Sequence, residues 1–327
     1  MDEILRLFPE SVKAILVRQI GERWNKLQEI RVRLGHPIEL YFDDTFEWLQ
    51  DERSDTGDCA YILNQLTEFS LYRLEEELQQ GYITIRGGHR VGIAGTATVR
   101  SGCIQSLKHI NFFNIRIAKE KIGAAQEILS YILTSDGTCR HTLIAGPPQS
   151  GKTTILRDLA RLLANEADGM RARKLAIIDE RSEIAASWNG CPQHDVGMRT
   201  DVLDAAPKAE GMLLMIRSMS PEIIIADEIG KVEDANAVKE AANAGVTLIT
   251  SVHARSMDEL KQRPVLSSLI EDRVFERIIL LERNAVPGKI KSVLDTYGNP
   301  LRSWGGGSDV SLDRRNLSCR SSDMGRF

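Results

Sequence analysis

The sequence runs Gly146-Pro147-Pro148-Gln149-Ser150-Gly151-Lys152-Thr153-Thr154 near its middle, and this stretch decides the fold. It fits the phosphate-binding loop pattern of a glycine, four variable positions and Gly-Lys-Ser/Thr. A strand-like run at 141–145 precedes it and a helical pattern at 155–164 follows it. A strand, a glycine-rich turn and a helix N-terminus direct backbone N–H groups at one point, so all nine residues are predicted to bind nucleotide phosphates.

Two side chains of this loop are predicted to have chemical roles. Lys152 would hold the β- and γ-phosphate oxygens as a point charge, and the hydroxyl of Thr153 would complete the coordination shell of a magnesium ion. The expected ligands are therefore ATP and Mg²⁺. The alternative interpretation is a chance turn before a helix, which the order of strand, loop and helix disfavours.

The composition limits the classes of protein to which the chain can belong. Its 327 residues and 42% hydrophobic content are enough for two domains, each with a core. The net charge of −4 gives no global basic field, so no nucleic-acid partner is expected. Its 5 cysteines form no Cys-x-x-Cys pair, which favours reduced thiols in a cytoplasmic protein. We expect neither a cleaved signal peptide nor a membrane-spanning segment, so work at a membrane would need another protein to hold the chain there.

Residues 1–120 are predicted to form the smaller of two domains, with α+β structure. Apolar residues at helical spacing alternate there with stretches of strand-like period. The expected elements are a helical stripe at 2–28, a strand at 30–34, a polar loop at 50–58, a helix at 60–80, a hairpin at 82–86 and 89–98, and a strand at 112–118.

Residues 121–300 are predicted to form the larger domain, because strands and helices alternate there as in a parallel sheet flanked by helices. The expected strands are 142–145, 175–179, 223–227, 246–251 and 277–281, and the expected helices are about 123–134, 152–165, 205–219, 233–243 and 256–261. Residues 301–327 are rich in glycine, serine and arginine without periodicity, which predicts a disordered tail.

Two apolar runs of this domain end in an Asp-Glu pair, at Asp179-Glu180 and at Asp227-Glu228. Both can place carboxylates at the carboxyl edge of a parallel sheet, where ligands bind. We assign the second run as the Walker B strand, because the turn-forming residues Ser-Pro-Glu at 220–222 mark its start and a further strand follows it. Asp227 is predicted to hold the hydration shell of Mg²⁺, and Glu228 to orient and activate the attacking water. The alternative for each pair is a helix N-cap region.

A histidine and three arginines complete the candidate site. His253 follows a buried strand and is predicted to hydrogen-bond the γ-phosphate and sense its loss; the alternative is an ordinary satisfied polar group. Arg86, Arg90 and Arg116 lie on the inner strands of the N-terminal domain. One or two of them are predicted to reach a nucleotide across a subunit boundary, and the alternative is that they face solvent.

Residues 188–203 are long and polar for a simple connection, so they are interpreted as a functional loop. Arg199, within this stretch, and Arg217 are expected to lie near the nucleotide site. There they could respond to a neighbouring subunit.

The sequence resembles the stage III sporulation protein AA family of endospore-forming bacteria over about residues 1–300. The resemblance is carried by the phosphate-binding loop together with the runs LEEEL at 74–78, GYITI at 81–85, GHRVG at 88–92, FNIRIA at 113–118, DERSEIA at 179–185 and AEGM at 209–212. More widely, the chain is similar to the secretion-type ATPases of type II and type IV secretion and pilus machines.

This resemblance implies an N-terminal domain joined to a RecA-like core, and subunits that assemble into a hexameric ring. It further implies an ATPase held at the mother-cell face of the channel between mother cell and forespore, with integral membrane proteins of that complex as partners. The protein would then be cytoplasmic and peripheral at the membrane.

The resemblance also implies roles for single residues. Asp179 and Glu180 correspond to the Asp box of the secretion ATPases, so Asp179 becomes a candidate metal ligand and Glu180 a candidate catalytic residue. Glu228 corresponds to the Walker B glutamate and His253 to the His box, and the arginine fingers would be among the three N-terminal arginines. Secretion ATPases usually carry Gly-Glu where this chain has Asp227-Glu228, so the metal could be held differently here.

Two alternatives to a motor ATPase remain at this point. The chain could bind ATP as an assembly clamp with negligible turnover, which a requirement for Glu228 in turnover would exclude. It could also be a DNA-handling RecA-like ATPase, which the acidic charge balance disfavours.

Overall fold

The computed structural model contains two β-sheets, each with a hydrophobic core of its own. The residues that it describes are 1–43, 45–67, 81–100, 102–166, 171–284 and 287–303. Within these ranges, no helix combines the length and the apolar character needed to cross a membrane.

The N-terminal sheet has six antiparallel strands in the order β3-β2-β1-β6-β5-β4. Its strands are β1 Leu27–Arg33, β2 Pro37–Phe42, β3 Thr45–Arg53, β4 Tyr82–Thr84, β5 Arg90–Arg100 and β6 Cys103–Arg116. Its helices are α1 Asp2–Leu5, α2 Glu10–Ile20 and α3 Thr56–Thr67, with a 3₁₀ turn at Gly21–Asn25. Ile30 and Val32 of β1 are buried whereas Arg31 and Arg33, which alternate with them, are half-buried, as expected for a strand with one covered face.

Several N-terminal elements differ from the sequence predictions. The stripe at 2–28 is two helices, because Gly21 takes a positive φ of 55° and ends α2. The loop predicted at 50–58 is wrong, since β3 continues to Arg53 and α3 begins at Thr56. Strands β2 and β3 were not predicted. The predicted helix at 60–80 is seen up to Thr67, and the remainder, with the run at 74–78, lies outside the described residues.

The larger sheet has eight strands in the order β14-β13-β12-β7-β11-β10-β8-β9. The six strands from β12 to β9 are parallel, and β13 and β14 extend the sheet antiparallel. The strands are β7 Thr142–Ala145, β8 Leu175–Asp179, β9 Thr200–Asp204, β10 Ile223–Ala226, β11 Thr247–Val252, β12 Arg277–Leu281, β13 Ile290–Leu294 and β14 Pro300–Ser303. The helices are α4 Gln126–Ile132, α5 Lys152–Ala164, α6 Lys208–Met219, α7 Val232–Asn243, α8 Met257–Gln262 and α9 Pro264–Glu271.

Successive residues of the central strands face opposite cores. Leu143 belongs to the cluster beneath α6, α7 and α9, whereas Ile144 belongs to the cluster beneath α4 and α5. A sheet covered on both faces explains why β7, β8 and β10 read as continuous apolar runs. This is the predicted α/β core with a mostly parallel sheet, and it carries the phosphate-binding loop at the carboxyl edge.

The elements of this region that the sequence did not predict are polar or lie at the periphery of the larger sheet. Strand β9 overlaps the end of the connection 188–203, which was interpreted as a functional loop. It was missed because its sequence TDVLD lies at a sheet edge and is not fully buried. Strands β13 and β14 and helix α9 were not predicted. Strand β14 crosses the expected start of the tail at 301, and residues 304–327 lie outside the described residues.

Candidate functional site

The phosphate-binding loop connects β7 to α5, and its glycines are required by its shape. Gly151 precedes the first residue of α5 with φ 91°, a conformation that side chains disfavour. A Cβ at Gly151 would collide with the backbone of Gly288, and one at Gly146 would collide with the hydroxyl of Ser150. The loop is therefore folded tightly onto itself and its neighbour, with the N-terminus of α5 open towards an anion.

Lys152 is buried beneath this loop and its ammonium group has three acceptors. Its Nζ donates to the carbonyl oxygens of Gly146 (3.2 Å) and Pro147 (3.1 Å) and to Nδ1 of His253 (2.9 Å). Burial lowers the pKa of Lys152, opposed by the negative charges of Glu228 and Asp227. All three donors of the ammonium are thus engaged, so a phosphate would bind by replacing one of these acceptors, and its negative charge would offset the cost of burying Lys152.

His253 joins Lys152 to Glu228. Its Nε2 lies 2.7 Å from Oε1 of Glu228, while its Nδ1 faces the ammonium of Lys152. Because an ammonium can only donate, Nδ1 accepts and Nε2 carries the proton that is donated to the carboxylate. The contacts therefore assign the neutral Nε2–H tautomer, and a continuous chain runs from Lys152 through His253 to Glu228.

Glu228 is positioned by both its backbone and its carboxylate. Its N–H donates to Oγ of Ser251 (3.0 Å), and its φ of 41° turns the chain away from the strand direction directly after β10. Its second carboxylate oxygen, Oε2, accepts from Nη1 of Arg181 at 3.0 Å. Both oxygens of the candidate base are therefore engaged, one by His253 and one by Arg181.

Asp227 is buried in the same strand end, 2% exposed. Among the described residues none hydrogen-bonds to its Oδ1. Burial raises the pKa of Asp227 to about 6, and the nearby charge of Asp179 adds to the shift. An unpartnered buried carboxylate oxygen is costly, so this atom is suited to a cation or to a water bound by one.

Asp179 has the opposite environment although it is also buried. Its Oδ1 accepts from the N–H of Glu183 (2.8 Å), and its Oδ2 accepts from those of Ile184 and Ala185 (2.9 Å each). Burial raises the pKa of Asp179, and these hydrogen bonds oppose the shift. Asp179 thus fastens the turn after β8, which leaves its oxygens fewer lone pairs for the metal role that was predicted.

Glu180 points to two lysines. It contacts Nζ of Lys208, a buried residue at the start of α6, and its other oxygen lies 3.8 Å from Nζ of Lys231. Glu180 is therefore seen in ion pairs with lysines, and its catalytic role stays a prediction. Lys208 was missed from the sequence, where nothing marks it among other helix-start residues, whereas Arg181 directly follows the Asp-Glu pair and could have been noticed.

The three N-terminal arginines are in different environments. Arg86 is exposed. Arg90 is held by Oε1 of Glu183 (2.9 Å) and the carbonyl of Arg181, and its guanidinium lies 4.7 Å from the ring centre of Tyr82. The side chain of Arg116 is 62% exposed, and its Nε lies 4.0 Å from Oε1 of Glu29 on β1. Arg90 is consequently a contact between the domains, while Arg116 has the freer guanidinium.

A cleft of about 410 Å³ separates the N-terminal sheet from the phosphate-binding loop. Arg90, Arg116 and Lys119 line one wall, and Thr153 and Arg157 line the other. The structure thus brings two of the three candidate arginines to the same cleft as the threonine predicted to bind magnesium.

Arg199 and Arg217 are not at this site. The carbonyl of Arg199 accepts from the N–H of Leu175, at the start of β8, and Arg217 is in the last turn of α6, shortly before the start of β10. Both positions are at the amino edge of the parallel strands, opposite the phosphate-binding loop. The expectation that these two charges lie near the site is therefore wrong.

The residues at the carboxyl edge fit a magnesium nucleotide. Besides Oδ1 of Asp227, the hydroxyl of Ser150 in the phosphate-binding loop is buried with no recorded partner. In the described part of the chain, no cluster of three His, Cys, Asp or Glu side chains could hold a metal without help. Magnesium is usually bound by one or two carboxylates together with substrate phosphates and water, which agrees with such a sparse ligand set.

Comparison with solved structures identifies the fold. The chain superposes on the ATPase DotB of Legionella pneumophila with a TM-score of 0.57 and 18% identity, covering 84% of this chain and 76% of that chain. It superposes on the pilus retraction motor PilT with bound ADP with a TM-score of 0.57 and 15% identity, covering 81% and 77%. The chain therefore has the RecA-like fold of the secretion ATPases, with a smaller N-terminal α+β domain.

The sequence assigns the chain to a family. It belongs to the family described as Sporulation stage III, protein AA, whose model matches residues 1–301. It is also 46% identical over 301 residues to Stage III sporulation protein AA of Bacillus subtilis (strain 168), which covers 92% of this chain and 97% of that protein. The predicted family is confirmed.

Proposed function

We propose that this protein hydrolyses ATP in a magnesium-dependent reaction and acts as a motor of the secretion-ATPase type. The observation that carries the proposal is the chain from Lys152 through His253 to Glu228. It connects the residue that would hold the β- and γ-phosphates to the carboxylate that would activate water, so the two ends of the reaction share one set of hydrogen bonds.

Each residue has one task in this proposal. Lys152 binds the phosphate oxygens through its ammonium, and backbone N–H groups at the start of α5 complete the anion site. Glu228 accepts the proton of the attacking water, and His253 orients that carboxylate through Nε2–H. Mg²⁺, held by Thr153 and Asp227, would neutralise charge on the phosphates during transfer.

Arg116 is the leading candidate for stabilising the transferring phosphate, because Arg90 is already held by Glu183 and Arg181. Although Arg116 lines the cleft of its own subunit, we propose that it acts on the nucleotide of a neighbouring subunit, because an arginine supplied across a subunit boundary raises turnover strongly in related reactions. Since a site completed by a neighbour needs assembly, we propose a homo-oligomeric ring, with a hexamer as the expected size. Replacing Arg116 by alanine should then reduce turnover more than it reduces nucleotide binding.

Membership of the sporulation family supports a cellular role for this activity. We propose that the ring supplies energy to the channel complex between mother cell and forespore during sporulation. The ring would work in the cytoplasm and be held at the membrane by integral membrane proteins of that complex.

A second candidate function is an assembly clamp that binds ATP with negligible turnover. It is favoured by one observation, that both carboxylate oxygens of Glu228 are engaged, by His253 and Arg181. For hydrolysis at least one of these contacts has to give way to water.

Phosphate release from ATP and Mg²⁺, measured over a range of protein concentrations, distinguishes the two candidates. A motor ring predicts specific activity that rises with concentration as the ring assembles, and no activity in Lys152→Ala. A clamp predicts that the wild type binds ATP while its phosphate release stays at the background set by Lys152→Ala. The latter result at every concentration would contradict the motor proposal.

A further inference from the structure

The segment that follows β12 is fastened to the phosphate-binding loop. The N–H of Gly288 donates to the carbonyl of Ser150 at 2.8 Å, and it lies against Gly151 so closely that no side chain would fit between them. The two ends of the segment are joined as well: the N–H of Glu282 donates to the carbonyl of Lys289 (3.0 Å), and their side chains form an ion pair at 2.6 Å. The described residues at its two ends, Glu282, Gly288 and Lys289, therefore form a wall against the phosphate-binding loop.

A planar cation projects from this wall. Arg283 is exposed, and its Nη2 donates to Oε1 of Gln149, at the turn of the phosphate-binding loop, at 3.0 Å. Gln149 itself has a φ of 63°, so the turn is tight and its side chain is presented at the rim. The guanidinium of Arg283 is thus held beside the loop by a hydrogen bond to an uncharged amide, which a bound ligand can replace at small cost.

The order of the strands indicates which part of a nucleotide this wall would face. Strand β7, which leads into the loop, lies between β11 and β12. Glu228 and His253 follow β10 and β11, so the terminal phosphate and the attacked bond belong on that side. The nucleoside is at the other end of the phosphate chain, and it therefore belongs on the β12 side, where Arg283 lies.

An exposed apolar side chain lies in the neighbouring connection between the two domains. Lys121 donates from Nζ to the carbonyl of Pro287 (3.2 Å), and the N–H of Gly123 donates to Oδ1 of Asp158 on α5 (3.1 Å). Ile122 between them is 65% exposed although both of its neighbours are anchored. The fold thus fixes an isoleucine in solvent close to the wall that carries Arg283.

We propose that Arg283 and Ile122 bind the heterocyclic base of a nucleoside di- or triphosphate whose phosphates occupy the loop. A guanidinium stacks on the π-face of a base, and a branched aliphatic side chain covers an apolar face, so the pair is complementary to a flat aromatic ring. This inference rests on the proposed function, and it adds a base-binding subsite to the phosphate site. Because Ile122 belongs to the connection between domains, base binding would also fix that connection.

Calorimetric titration of the full chain with ADP and, separately, with inorganic tripolyphosphate in the presence of Mg²⁺ tests the proposal. Tripolyphosphate offers the phosphates without a base. Arg283→Ala should weaken ADP binding by about fivefold to thirtyfold and leave tripolyphosphate binding within twofold of the wild type. Ile122→Gln should act in the same direction. Arg263→Ala, which removes an exposed arginine that pairs with Glu259, is the matched control and should change neither ligand.

Each other outcome overturns the subsite. If Arg283→Ala weakens both ligands equally, Arg283 serves the phosphates and not the base. If neither ligand is affected, Arg283 contributes nothing to binding. If the wild type binds neither ligand, the nucleotide function fails and the subsite fails with it. This result differs from one in which the wild type and Arg283→Ala bind ADP equally tightly, where only the subsite fails.

Discussion

The ends of β8 and β10 carry the same two residues in the same order and have different surroundings. Asp179 accepts three backbone N–H bonds, whereas Asp227 has a buried oxygen to which none of the described residues donates. Glu180 pairs with lysines, while Glu228 is joined through His253 to Lys152. For the two aspartates, hydrogen-bond occupancy and not residue type therefore separates a carboxylate that holds the fold from one that has an oxygen open to a ligand.

The strongest way to break this comparison is to remove the carboxylate that holds the fold. Asp179→Ala would leave three N–H groups without their charged acceptor, and we expect the free energy of unfolding to fall by about 3–5 kcal/mol. In Asp179→Asn the free energy of unfolding should fall by less, because an amide keeps one acceptor oxygen. Urea denaturation of both variants measures the difference, and a loss below about 1 kcal/mol in Asp179→Ala would contradict the structural role.

The second prediction is that the stability of the protein depends on pH through histidines in and near the loop that Asp179 anchors. That loop continues to His194, which lies 3.4 Å from Glu120, and it packs near His89, whose Nδ1 accepts from Ala118 N–H. Burial lowers the pKa of both histidines to about 4, and the charge of Arg157 contributes at His194. The unfolded chain therefore binds more protons between pH 6.5 and 4, so stability is complete above that window and is lost as the pH falls through it.

Urea denaturation at pH 7.5 and pH 5 checks this pH dependence. Each histidine should account for a loss of about 2 kcal/mol between the two pH values. The double variant His89→Gln/His194→Gln should have a flatter pH dependence than the wild type, even if it is less stable throughout. Identical pH slopes in the two proteins would exclude the buried neutral pair.

The third and smallest expected effect concerns the open strand end. The pKa of Asp227 is raised, so its ionised carboxylate costs stability, and this cost is complete above about pH 6 and disappears as the pH falls towards 4. Asp227→Asn, measured with chelator at pH 7.5, should therefore keep or raise the free energy of unfolding, by about 1–3 kcal/mol. A loss as large as that of Asp179→Ala would make the two strand ends equivalent.

The sequence was sufficient for those parts of the fold whose pattern is local. The loop from Gly146 to Thr154 and the buried strands β7, β8 and β10 were predicted because a turn with fixed residue types follows an apolar run. Strand β9 was missed because a polar edge strand has no such pattern, and β2 was missed because its pairing with β1 is visible only in the folded sheet.

The sequence was not sufficient to separate the two Asp-Glu pairs by environment. Nothing in the order of residues tells that N–H groups at 183–185 turn back to Asp179, or that Lys208 from a later helix reaches Glu180. The preference for Asp227-Glu228 came from flanking residues, and the contacts now add an independent physical reason for it. The bond between Arg181 and Glu228 likewise depends on two strand ends that are neighbours in the sheet but 47 residues apart in sequence.

The most direct test of the account is a comparison of turnover in Glu228→Gln and Glu180→Gln under saturating ATP and Mg²⁺. Loss of the base should lower kcat by about 10²–10⁴ in Glu228→Gln with ATP binding retained. In Glu180→Gln the ion pair with Lys208 is lost, so we expect a lower melting temperature and a kcat within tenfold of the wild type below that temperature. The reverse pattern, with Glu228→Gln active and Glu180→Gln inactive while folded, would contradict the assignment of chemistry to the end of β10.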